Sequence, residues 1–451
     1  MRPEHKADSV EVMAAMGDKS HSNVRWWLVS VLFLLSAVTY LDRVNLSIAG
    51  SSIIGEYHLT ELQLGWMLSA FLIGYGLFQA PAGRLADRCG PRLALAGGAC
   101  WWAIFTVLAT VVPRGVASAL WILISIRFLL GVGEAILYPA SSLFVARWIP
   151  ITDRGRANGI IFAGVGVGAG VTPPIVAYVM HQDGWRASFW VCASIGLVIG
   201  CVWYWLARDN PEEHPRISSS EVLFIHRGIV DRTEASECGY GGTSMISWRE
   251  ILKSWQVWAL TISYFCFGYV AWLFFSWFYI YLATVRGMDL KASAMYAMLP
   301  FIAMAVGSTV GGVLSDKITQ RWGLRVGRCS TAFAGLALAA VFIIIGSQIR
   351  SAGLASLVLS GGAGTLYLAQ SSFWSVSADI ARGSSGSVSG FMNMGAQVGG
   401  ALTASLTPWI ALHYGWGMSF AIAGTLSVFG AALWLSVNPA SAISRQGVTE
   451  A

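Results

Sequence analysis

Apolar residues recur along this chain in long unbroken runs, not on one face of amphipathic segments. Twelve runs stand between Trp26 and Val437, at about 26–49, 62–85, 93–112, 118–147, 156–180, 188–207, 255–284, 292–316, 329–348, 352–378, 386–412 and 416–437. A bilayer core is about 30 Å thick and takes about 20 apolar helical residues to cross. In lipid each backbone amide must find its partner within its own segment, so such runs form helices. The pattern predicts an all-α membrane protein with twelve transmembrane helices. The first run is too long for a secretory leader and carries Asp42 and Arg43 near its end, so residues 1–25 are read as a polar N-terminal tail.

Composition agrees with the pattern. Of 451 residues, 55% are apolar and 12% charged, against roughly 45–50% and about 25% in soluble domains. The net charge of +6 does not point to nucleic acid, because the charge is confined to short connections between runs. With both ends of the chain on one side, 22 of the 29 Lys and Arg fall on that side and five on the other. Arg43 and Arg127 remain inside the membrane. Positive charge marks the cytoplasmic side, so both termini are expected there, in a multi-pass protein of the plasma membrane. The seven cysteines have no metal-ligand spacing, and Cys100, Cys192, Cys201 and Cys266 lie in apolar runs as small hydrophobes. No cofactor and no metal are expected, and a monomer is the expected state.

One long polar stretch, residues 208–254, divides the runs six and six. It is expected to be a cytoplasmic linker between a bundle at 26–207 and a bundle at 255–437, with a tail at 438–451. The halves echo each other. Gly83-x-x-x-Asp87-Arg88 recurs as Gly312-x-x-x-Asp316-Lys317, 229 residues on. Arg154-Gly155 recurs as Arg382-Gly383 at 228, and the first and seventh runs open at Trp26 and Trp255, again 229 apart. Two parallel six-helix repeats build one large transporter architecture, with the substrate near the midplane between them.

These markers carry a family resemblance. Gly83-Arg84-Leu85-Ala86-Asp87-Arg88-Cys89-Gly90-Pro91-Arg92 resembles the loop motif between helices 2 and 3 of the major facilitator superfamily, and its weaker copy at 312–325 stands where that family has a second. The segments TYLDRVNLSIA at 39–49, YPASSLFVARWIPITDRGRANG at 138–159 and GWRASF at 184–189 look like the anion:cation symporter branch. So do SFWSVSADIA at 372–381 and GFMNMGAQVGG at 390–400. Within that branch they resemble bacterial carriers of hexuronates, glucarate and galactonate. The resemblance implies the major facilitator fold and a proton-coupled symporter of small organic anions, sugar acids above all. An exchanger or a sodium-coupled carrier would keep the same motifs.

Four charged residues in the apolar runs are the candidate chemistry: Asp42 and Arg43 in the first, Arg127 and Glu134 in the fourth. A charge at a bilayer centre costs about 2.5–3.5 kcal/mol even on insertion scales, so it usually faces a cavity or a partner. Arg stays charged and offers a planar fork that fits a carboxylate, whereas a dry Asp or Glu can hold or release a proton. The resemblance assigns Arg43 to the substrate carboxylate, and Asp42 and Glu134 to protons, with Arg127 beside them. Two ion pairs that merely pin helices together would use the same four residues. No basic residue lies in the apolar part of the seventh run, which favours a singly clamped carboxylate over a phosphate ester. Tyr40, Tyr75, Gln370, Ser371, Trp374, Asn393 and Gln397 are candidates for hydroxyl partners and a stacking face. Val165 stands where some sugar-acid carriers have a glutamine. Gly83, Asp87, Arg88 and Asp316 are candidate gating residues at helix ends. A membrane redox enzyme would need histidines within helices, but the seven histidines fall in tails, loops or helix ends.

Overall fold

The computed structural model describes residues 22–116, 118–230, 245–288, 290–441 and 443. Most of both tails and residues 231–244 of the expected linker lie outside the described residues. Nine helices among the described residues are long and apolar enough to cross a membrane. Two of these, Leu62–Leu108 and Ile151–Leu206, would measure about 70 Å or more if straight, over twice the bilayer core. Each is two spans joined by one left-handed glycine, Gly90 (φ 80°) in the first and Gly184 (φ 80°) in the second. Ser385–Tyr414, diluted by Gly, Ser and Thr, is the twelfth span.

The spans are α1 (Val24–Tyr57), α2 (61–89), α3 (91–108), α4 (Ala119–Trp148), α5 (154–183), α6 (185–206), α7 (Trp255–Ser276), α8 (Leu290–Trp322), α9 (Leu324–Gln348), α10 (Ala352–Ala381), α11 (Ser385–Tyr414) and α12 (Trp416–Leu433). The expected boundaries shift in places. α1 runs a further two turns, to Tyr57. α4 is interrupted between Glu134 and Leu137, and α10 between Leu368 and Gln370. α7 ends at Ser276 and its expected last turns continue as a short helix and a π-helical turn at Tyr281–Val285.

The sequence repeat is also a backbone repeat. Gly323 (φ 88°) turns α8 into α9 as Gly90 turns α2 into α3, and Gly415 (φ 82°) turns α11 into α12 as Gly184 turns α5 into α6. Only a residue without Cβ takes these angles without strain. The halves meet along α2 with α11 and α5 with α8. A Cβ on Gly83 would lie 2.0 Å from Gly386 O, and one on Gly312 would lie 2.3 Å from Gly155 O. Bare backbones thus touch at both crossings, near the end where α2 and α8 finish.

The linker lies at that same end. It folds as a turn at Pro211–Glu213, a helix at Ser219–Val230 and a helix at Trp248–Lys253 closed by a Ser247–Glu250 capping box. Buried Glu221 accepts from Ser22 Oγ at 2.5 Å and from Arg25 Nη1 at 3.2 Å, tying the linker to the start of α1.

Candidate binding site

A cavity of about 50 Å³ lies between the halves, lined mostly by aromatic rings. Among the described residues, Arg43 of α1 is the single charged side chain on its wall. Arg43 Nε donates to Glu134 Oε2 of α4 at 3.0 Å. Its guanidinium lies 4.3 Å from the ring centre of Tyr75 and 4.8 Å from that of Tyr40. Phe71 of α2 stands between the two arginines, 5.2 Å from Arg43 and 4.9 Å from Arg127. The negative faces of these rings hold cations in a place where water cannot.

Asp42, Arg127 and Glu134 are deeply buried, Arg43 is half-buried, and all four are incompletely bonded. Glu134 Oε1, Arg43 Nη2, Arg127 Nε and both carboxylate oxygens of Asp42 are buried without a hydrogen-bond partner. An unmade bond at a buried ion is costly. Successive residues of a helix point about 100° apart. Arg43 therefore faces the cavity and Asp42 turns into its own bundle, within electrostatic reach of Glu134 and Arg127 and of Cys192 on α6. The ion pair is Arg43 with Glu134, not Arg43 with its sequence neighbour Asp42.

The facing wall is uncharged. Gln370 Nε2 and Trp374 Nε1 each donate to Tyr264 Oη at 2.9 Å. Asn393 Nδ2 donates to Gln79 Oε1 at 2.9 Å across the halves, and Gln397 packs against Gly76. Of the eight residues expected to meet substrate, Arg43, Tyr40, Tyr75, Gln370, Asn393 and Gln397 line the cavity. Trp374 sits behind it, 5.7 Å from the Tyr138 ring and 5.0 Å from the Phe162 ring, and supports Tyr264 from below. Ser371, next in the helix to Gln370, is fully buried away from the cavity. Val165 also lines it.

Several wall residues escaped the sequence reading. Tyr264, Phe267, Trp272 and Phe275 lie in the apolar seventh run, where an aromatic looks like any core or lipid-facing residue. The repeat was the usable signal. Trp272 stands 229 residues after Arg43 and Tyr367 stands 229 after Tyr138, and all four line the cavity.

Below the cavity, toward the linker end, each half holds the other by a carboxylate on a helix N-terminus. Asp87 accepts from Gly386 N and Ser387 N at 2.9 Å and from Ser387 Oγ at 2.5 Å, at the start of α11. Asp316 accepts from Gly155 N at 2.9 Å and Arg156 N at 2.6 Å, at the start of α5. Free backbone donors and the helix dipole favour an anion at both places. The second latch is reinforced: Arg328 Nη1 reaches Asp316 at 2.7 Å, and Arg154 pairs with Asp379 at 2.6 Å. Arg88 has no part in the first latch. It is exposed on the flank of α2, beside a groove shared with Arg84 and Trp248. Arg84 instead donates to Ile246 O at 2.8 Å.

The sequence profile of the Major Facilitator Superfamily matches residues 32–403, and the chain belongs to that family, one of membrane transporters and not of enzymes. It is 33% identical over 423 residues to the "Probable sulfoacetate transporter SauU" of Cupriavidus necator, covering 93% of this chain and 95% of that one. It is 30% identical to the "Probable L-galactonate transporter" of Escherichia coli, over 76% of this chain and 73% of that one. Among solved structures, the proton:xylose symporter XylE superposes with a TM-score of 0.71 at 16% identity, covering 94% of this chain and 98% of that one. That likeness concerns the fold.

Proposed function

We propose that the protein is a proton-coupled symporter of small organic anions, of the sugar-acid class and acids built like them, working by alternating access. The carrying observation is the sharing of Arg43 between the cavity and Glu134. Two carboxylates and two guanidinia make the buried quartet neutral. An arriving carboxylate adds a negative charge where uncompensated charge is costly. A proton on Glu134 restores neutrality and releases Arg43 Nε, so the fork can hold the cargo through two parallel hydrogen bonds. When the cargo leaves, Glu134 loses the proton and takes Arg43 back. Asp42, buried beside the pair, is the second proton-holding group of this scheme, and Arg127 keeps its charge in balance.

The latches supply alternating access. Asp87 and Asp316 close the linker side while the cavity is formed. Rocking of the halves breaks both latches and opens that side. The relatives named for sulfoacetate and galactonate support an organic acid as cargo. The charge asymmetry supports a plasma-membrane protein whose tails and linker 208–254 face the cytoplasm.

The test is uptake into proteoliposomes. An inward proton gradient should drive accumulation of an organic acid, and a sodium gradient at equal pH should not. Sodium-driven uptake indifferent to pH would overturn the coupling ion. Single cysteines placed in 208–230 should resist an impermeant thiol reagent in intact cells, and ready labelling would reverse the orientation.

A further inference from the structure

The cavity has one wall that the charge chemistry does not use. Trp272 on α7 stands at the repeat position of Arg43, 229 residues later, the spacing that also separates Asp87 from Asp316. The two halves thus set an arginine and a tryptophan at equivalent places on one cavity. The indole is tightly seated. A Cβ on Gly400 of α11 would lie 2.2 Å from Trp272 Cδ1, 2.5 Å from Nε1 and 2.6 Å from Cγ, so the five-membered ring rests on bare backbone. One turn earlier, a Cβ on Gly268 would meet Ala396 O at 2.3 Å, and one on Gly399 would meet Phe265 O at 2.3 Å. These contacts press α7 against α11. Beside it, Phe275 lies 5.7 Å away between ring centres, and Tyr40 a further 5.8 Å on, next to the guanidinium of Arg43. The cavity is about 50 Å³, room for a few waters at about 10–15 Å³ each.

We propose that Trp272, seated on Gly400, sets the length of the anion that Arg43 can clamp, favouring two- and three-carbon acids over six-carbon sugar acids. The inference rests on the organic-anion carrier reading and narrows its sugar-acid class to short members such as glycerate. A carboxylate fixed at Arg43 projects its tail across the cavity toward α7 and α11. A short tail ends among Tyr75, Gln370 and Asn393. A longer one meets the indole, which cannot yield, and overpacking a rigid wall is unfavourable.

The experiment measures binding of glycolate, glycerate and gluconate to the purified full chain by calorimetry, with sulfoacetate as an added two-carbon probe. Size-exclusion profile and unliganded melting temperature establish that each variant is folded. The wild type should bind glycerate more tightly than gluconate. Trp272→Ala should shift that ratio toward gluconate by about ten-fold or more, the discrimination that a methylene-sized misfit supports. Gly400→Ala drives a methyl into the indole's seat and should weaken all acids by about ten-fold, but much less when combined with Trp272→Ala, because the two sites act through one contact. An unchanged ratio in folded Trp272→Ala, or a wild type that prefers gluconate, would overturn the length assignment and leave the carrier reading intact. An equal cost of Gly400→Ala in both backgrounds would overturn the seat. If no acid of any length binds, the carrier reading falls and this inference with it.

Discussion

Arg43 and Trp272 occupy the same place in the two repeats, yet one carries a charge shared with Glu134 and the other an inert ring locked on Gly400. The rest of each half follows its own residue. Around Arg43 stand Asp42, Arg127 and Glu134, all buried. Around Trp272 stand Tyr264, Gln370 and Asn393, whose hydrogen bonds are neutral. In the proposed cycle a doubled bundle needs only one proton-responsive face. Charge placed in both halves would double the desolvation cost without adding a second driving ion. The helix ends tell the opposite story: Asp87 and Asp316 make the same backbone contacts in both halves, as the proposed rocking at two matched crossings requires.

The sharpest way to break this division is to remove the titratable member of the charged face. Glu134→Gln mimics a permanently protonated carboxyl. It should abolish accumulation driven by a proton gradient while leaving exchange of internal for external cargo, measured with labelled substrate. Accumulation that survives would remove Glu134 from coupling. A smaller effect is expected from giving the neutral face a charge. Trp272→Arg places a second guanidinium across the cavity and should favour a dicarboxylate over a monocarboxylate of equal length by about ten-fold, since a charge-assisted hydrogen bond contributes roughly 1.5–3 kcal/mol. No change in that preference would mean that the repeat position does not face the cargo. The mildest change concerns the latches. Asp87→Asn keeps a partial acceptor at the start of α11 but loses the charge. Turnover should fall several-fold, with cargo affinity altered only a few-fold. Loss of binding with normal turnover would contradict a gating role.

The fold was legible because lipid demands apolar length, and that shows in sequence. Its breaks were less legible. The gap after Glu134 lies one turn before Pro139, which lacks the N–H that would bond the carbonyl of Ala135. The gap at Ala369 has no such marker. Arg43, Glu134, Gln370 and Asn393 could be found because a polar residue in an apolar run is conspicuous. Tyr264, Trp272 and Phe275 could not, because an aromatic there carries no sign of which way it points. The pairing of Arg328 and of Arg154 was not legible for a different reason. Counting charges by loop treats each arginine as solvated, but Arg328 is fully buried on Asp316 and Arg154 is paired with Asp379.

The central claim is that Arg43 is a carboxylate clamp and not only a counter-ion for Glu134. Lysine would still neutralise Glu134, but it lacks the planar fork that holds a carboxylate through two parallel bonds. The direct measurement is cargo affinity of folded Arg43→Lys by calorimetry, at a pH where the wild type binds. The loss of one charge-assisted hydrogen bond predicts binding weaker by about ten-fold or more, with the protein still reaching the membrane. An affinity equal to that of the wild type would make Arg43 a structural partner of Glu134 and contradict the account.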